Sequence, residues 1–82
     1  MQVYKNKWFH RWAAREGLGD QALLAAVKEM EDGLIDAKLG GHVVKKRVAL
    51  PGHGKRGSTR SLVVYQQNNK AFFVYGFAKN ER

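Results

Sequence analysis

Leu62-Val63-Val64-Tyr65-Gln66-Gln67-Asn68-Asn69-Lys70-Ala71-Phe72-Phe73-Val74-Tyr75-Gly76-Phe77, residues 62–77, is two apolar runs around a polar centre. Both runs are rich in β-branched and aromatic side chains, which suit a pleated, packed surface. Residues 62–65 are apolar on both faces, as expected of a strand in the middle of a sheet. Gln67-Asn68-Asn69-Lys70 reads as a hairpin turn, because asparagine tolerates left-handed backbone. Residues 71–77 then return against the strand before them.

Upstream, residues 43–50 alternate. Lys45 and Arg47 fall on one face, and Val44, Val48 and Leu50 on the other. Lys46 falls on the apolar side, so it is expected near a sheet edge with its amine extended to solvent. Pro51-Gly52-His53-Gly54-Lys55-Arg56-Gly57 breaks regular structure and forms a loop before the strand that Arg60 opens.

The first half reads differently. Residues 1–5 predict a short edge strand with Val3 on one side and Gln2 and Tyr4 on the other. Trp8 and Trp12, like Phe9 and Ala13, stand four apart and predict a helix over 6–15, with Arg11 and Arg15 on another face. Gly17 and Gly19 interrupt it. Asp20 is a candidate N-cap for a second helix reaching about residue 32, with Leu23, Leu24, Val27 and Met30 as its apolar stripe and Gly33 as its stop. The tryptophans and methionines, together with Tyr65 and Tyr75, read as core. The resulting order is β-α-α-β-β-β: an α+β fold with a helical hairpin packed on one face of a mainly antiparallel sheet. The chain has 82 residues, enough for a single domain over 1–82 with one core.

Composition narrows the function. A hydrophobic fraction of 44% suits a folded chain, and the lack of cysteine excludes disulfides, thiolate metal sites and cysteine nucleophiles. The N-terminus lacks the apolar run of a signal peptide, and no stretch approaches the ~18–20 apolar residues of a membrane span. A cytoplasmic protein without a membrane role is expected. The net charge is +8, unevenly placed. Residues 1–36 carry five basic and six acidic side chains, whereas residues 37–80 carry nine basic side chains and no acid. Solubilising surfaces mix both signs, so an acid-free stretch of this length points to a polyanion-binding face.

If the strands of residues 43–50 and 60–66 pair, Lys45, Arg47 and Arg60 converge on one surface. Arginine forks grip phosphate oxygens in two places, and lysine acts as a point charge. The same groups suit RNA cleavage by its own 2′-hydroxyl, where fixed cations stabilise the phosphorane-like transition state. A lysine among cations gives up its proton more readily, so Lys45 is a candidate general base. On residue pattern alone, a cationic patch that binds phosphate without chemistry is the simpler reading. His10, His42 and His53 are scattered through a helix and two loops, so no metal site is expected. Gly52-x-Gly54-x-x-Gly57 lies between two strands of a hairpin, not between strand and helix, which rejects a dinucleotide fingerprint.

Lys45-Lys46-Arg47-Val48-Ala49-Leu50, Gly54-Lys55-Arg56-Gly57-Ser58-Thr59-Arg60 and Phe72-Phe73-Val74-Tyr75-Gly76-Phe77-Ala78-Lys79-Asn80-Glu81 resemble the RelE/HigB branch of the RelE/ParE toxin superfamily. The similarity covers about residues 39–82, while the first half matches in its two-helix pattern. The resemblance implies the toxin of a type II toxin–antitoxin pair, which enters the ribosomal A site and cleaves messenger RNA there without metal or small-molecule cofactor. Its implied partners are a cognate antitoxin, the ribosome and the messenger.

By the same resemblance, Arg60 stabilises the transition-state phosphate and Lys45 or Arg47 polarises the attacking hydroxyl. Lys46, Lys55 and Arg56 are expected to contact ribosomal or messenger phosphates, and an acidic antitoxin segment to cover the basic face. Lys79 and Asn80 fall where the branch carries a Lys-Arg pair, and Asn80 cannot hold that charge. Relatives continue into a C-terminal helix, which in some members brings a tyrosine to the site; this chain is expected to lack it. Two other readings stay open: a ParE-like gyrase inhibitor on the same fold, and a catalytically silent domain that binds RNA or antitoxin.

Overall fold

Asn68 and Asn69 adopt φ of 54° and 62°, two consecutive left-handed residues as a tight hairpin turn requires. They join β4 (Thr59–Gln67) to β5 (Lys70–Ala78), the antiparallel pair expected from residues 62–77. The computed structural model describes residues 1–50 and 59–78. In addition to this hairpin the sheet contains β1 (Gln2–Lys5), β2 (Ala37–Gly40) and β3 (Val43–Val48). Its strand order is β1-β5-β4-β3-β2, which places β4 at the centre. Among the described residues only the β1–β5 pair is parallel. Helices α1 (Lys7–Glu16) and α2 (Asp20–Glu31) supply the rest of the core. This is the expected α+β architecture with one additional strand.

β2 is the addition. Ala37-Lys38-Leu39-Gly40 is only four residues long and ends in glycine, and its edge position gives it only β3 to pair with. Gly40, Gly41 and His42 all take positive φ in the link to β3. The two glycines accept that backbone without Cβ strain, and this lets so short a link reverse the chain.

One face of the sheet is covered. Val44, Val48, Val63, Tyr65, Ala71 and Phe73 meet Phe9, Trp12, Leu23, Val27 and Met30 of the helices. Phe9 stacks obliquely on Phe73, with ring centroids 5.2 Å apart. The register of β4 against β5 shifts between Leu62 and Val63, leaving Val74 as an extra residue on β5. Its carbonyl is not wasted: Asn6 Nδ2 donates to it at 3.1 Å, while Asn6 Oδ1 accepts from Phe9 N at 2.7 Å. One N-cap residue thereby fixes the start of α1 to the bulge in β5. Two residues further on, Gly76 lies directly under the Trp12 ring, where a Cβ has no room.

Several expectations need correction. Gly19 is the N-cap of α2 and Asp20 its first helical residue. The Asp20 carboxylate instead pairs with Lys5 Nζ at 2.9 Å, and this lysine holds its pKa below the usual value. Leu24 points to solvent, and Ala26 replaces it in the buried stripe. Tyr65 is core, but Tyr75 is 47% exposed and stacks on the equally surface-lying Trp8 at 4.6 Å.

Lys46 is the largest departure. β3 is not an edge strand, and the Lys46 side chain is only 5% exposed. It runs up to α2 and meets Glu29 Oε1 at 2.7 Å. A buried ammonium keeps its charge only with such a partner. Glu29→Ala should therefore destabilise the domain by about 1–3 kcal/mol, the cost of stranding a buried charge beside partial solvent. Lys46→Met should cost less, because a thioether chain of similar length needs no partner. Urea unfolding of both variants checks the order, and a more stable Glu29→Ala than Lys46→Met would refute it.

Candidate functional site

The uncovered face of the sheet holds the basic residues. In the β3–β4 ladder Arg47 stands directly across from Arg60, and Lys45 across from Leu62. Residues paired this way share a face, with Cβ atoms about 4.5–5.5 Å apart. Lys45 and Arg47 are two residues apart and so lie on that same side. The structure thus brings Lys45, Arg47 and Arg60 together as the alternation predicts. Arg47 is exposed, while Lys45 and Arg60 are half-buried.

Two arginines directly opposite each other repel, so this ladder position is unfavourable for the fold alone. A countercharge is present. Asp36, in the link between α2 and β2, places Oδ2 3.1 Å from Arg60 Nε. Its backbone N–H donates to the Lys45 carbonyl at 2.9 Å, which fixes the residue beside β3. Arg60 Nη1 is buried and has no hydrogen-bond partner among the described residues.

Sequence reasoning missed Asp36. The signal was there: it is the last acid before the acid-free stretch begins. Being counted with the first half, it was separated from the strand residues it serves.

Beyond the cluster, the open face turns apolar and aromatic. Phe77 lies across from Arg60, and Phe72 across from Val64. Phe72 meets Tyr4 of β1 at 6.2 Å, and Lys70 Nζ sits 5.8 Å from the Tyr4 ring centre. The three cations therefore share a surface with exposed rings, a combination suited to single-stranded nucleic acid.

Lys46 does not belong to this surface, since its amine is committed to Glu29 on the helix side. Lys55, Arg56, Lys79 and Asn80 lie outside the described residues. No group of three or more His, Cys, Asp or Glu side chains among the described residues is placed to hold a metal ion. No helix among them is long and apolar enough to cross a membrane.

Searches of curated proteins and of solved structures give no match. A family model does: the one described as the RelE toxin of the RelE/RelB toxin–antitoxin system matches residues 1–82.

Proposed function

The chain belongs to the RelE toxin family, and from that premise we propose that it is a metal-independent endoribonuclease of the RelE/HigB branch, cutting messenger RNA at the ribosome in the cytoplasm. Family membership makes it the toxin of a toxin–antitoxin system, with a cognate antitoxin as partner. The observation that carries the catalytic reading is the Arg47–Arg60 pair, two like charges set face to face on an open sheet beside Lys45. A ligand with concentrated negative charge relieves that repulsion, and a phosphodiester is such a ligand.

In this reading the 2′-hydroxyl of the messenger attacks the adjacent phosphorus. Lys45 or Arg47 polarises the hydroxyl, and Arg60 stabilises the charge that builds on the non-bridging oxygens. The 2′-hydroxyl gives up its proton to water or to the neutral form of Lys45, and the P–O5′ bond breaks. The 5′-oxygen takes up a proton from water or Lys79, and the products are a 2′,3′-cyclic phosphate and a free 5′-hydroxyl. Lys79 is assigned to the leaving-group side, and Lys55, Arg56 and Asn80 to ribosomal or messenger contacts, all by the resemblance of residues 54–60 and 72–81 to the RelE/HigB branch. The antitoxin is expected to present an acidic segment to the same face.

A purified translation system tests this, with the messenger supplied with and without ribosomes. Cleavage that requires ribosomes is the expected result. A folded protein that leaves the messenger intact would overturn the reading. If its induction in cells triggers DNA-damage signalling, gyrase inhibition takes its place.

A further inference from the structure

Asp36 has no part in the cleavage scheme above, yet it makes the one ion pair to Arg60 found among the described residues. We propose that Asp36 is the positioning residue of the basic site, whose carboxylate fixes the Arg60 guanidinium where it meets the scissile phosphate. This inference rests on the reading of Arg60 as a phosphate ligand.

Three observations carry it. The Arg60 side chain is 21% exposed and that of Asp36 28%, so both charges have been drawn substantially out of water. Asp36 is the compensating charge for that move, because Nη1 of the same guanidinium is buried with no acceptor among the described residues. Without the carboxylate, Arg60 is better solvated when extended into water, and the like charge of Arg47 across the ladder pushes it the same way. Second, Asp36 is itself held. Its backbone N–H bond to the Lys45 carbonyl ties the carboxylate to the strand that carries two of the three site cations. Third, the pair does no packing work like that of its counterparts. Lys5–Asp20 and Lys46–Glu29 each bridge the sheet to α2, whereas Asp36–Arg60 joins β4 to the link before β2 and leaves the helices untouched.

A carboxylate in this place has two opposed effects on a nuclease. It orients the guanidinium, which favours turnover, and it repels the incoming phosphate, which weakens binding. Removing its charge therefore separates kcat from KM. A merely structural role would not.

The experiment is messenger cleavage in the ribosome-containing system by wild type, Asp36→Asn, Asp36→Glu, Arg60→Ala and the Asp36→Asn/Arg60→Ala double variant. Thermal melts establish that each is folded. Asp36→Asn should lower kcat roughly ten- to a hundredfold, the range for losing a charged partner, with KM unchanged or lower. Asp36→Glu, which keeps the charge but shifts it by a methylene, should retain more activity than Asp36→Asn. In the Arg60→Ala background Asp36→Asn should cost nothing further, since there is no guanidinium left to place. A readout independent of activity is the Arg60 side-chain Nε–H resonance, assigned by its loss in Arg60→Ala. It should move toward the position of a solvated arginine in Asp36→Asn.

Wild-type kcat in Asp36→Asn, or an equal loss in both backgrounds, overturns the proposal. So does an unmoved Nε–H resonance when Arg60→Ala is inactive, and in that case the functional reading stands. Wild-type cleavage by Arg60→Ala overturns the functional reading itself.

Discussion

Arg60→Ala should lower messenger cleavage roughly a hundred- to a thousandfold, the effect of deleting one preorganised donor to a transition-state charge. The chain should stay folded. The reason lies in where the side chain sits: on the uncovered face of the sheet, held by one ion pair from Nε to Asp36 and outside the buried core. Its loss also relieves the repulsion from Arg47, which offsets the lost ion pair. Circular dichroism and a thermal melt would therefore resemble wild type while growth arrest on induction disappears. Unfolding of the variant would remove the basis for calling Arg60 functional, and undiminished cleavage would sink the assignment directly. Lysine at this position should rescue little, because a point charge cannot hold both Asp36 and a phosphate as a planar fork does.

Gly76→Ala should be the most damaging small substitution in the sheet, costing about 3 kcal/mol and lowering Tm by roughly 12–24 °C. A Cβ at Gly76 would overlap three carbons of the Trp12 six-membered ring, Cε3, Cζ3 and Cη2. That ring cannot retreat easily. Phe9 lies 5.3 Å from it at a tilt, Trp8 stacks 6.1 Å away, and Trp12 is almost wholly buried. Either β5 moves away from α1 or the tryptophan leaves the core. Trp12→Leu alone should destabilise by leaving a cavity, but combined with Gly76→Ala it should cost less than the two separately, since leucine vacates the space the methyl needs. Strictly additive melting temperatures, or a Gly76→Ala protein as stable as wild type, would refute this account of the contact.

What the sequence disclosed depended on whether a signal was local. The β4–β5 hairpin was legible because its turn chemistry and its apolar runs agree within a short stretch. The convergence of Lys45, Arg47 and Arg60 followed from period two once β3 and β4 were paired. β2 was hidden because Ala37-Lys38-Leu39-Gly40 is too short for its alternation to mark a strand, and it owes its strand state to β3 alone. Lys46 was misjudged because alternation correctly assigned it to the covered face, but whether that position is edge or interior depends on a strand not foreseen. Tyr75 was read as core from its apolar neighbours. The bulge at Val74 changes the pairing there, and the tyrosine lies against Trp8 on the surface. Asp36 is marked in the sequence as the last acid before the basic stretch, but its pairing is not, since Arg60 is more than twenty residues away across an intervening strand.

The parallel pairing of β1 with β5 sets an order of events in folding. Val3 lies beside Ala71, Phe9 rests on Phe73, and the cap of α1 waits for the carbonyl of Val74. The first helix thus finds its resting place on residues more than sixty positions further along the chain. Until then its aromatic side chains have no sheet to cover, and the contacts that close the domain span most of its length. The sheet therefore closes only when residues 2–5 and 70–73 are both free to meet, which makes its edge a late event in folding.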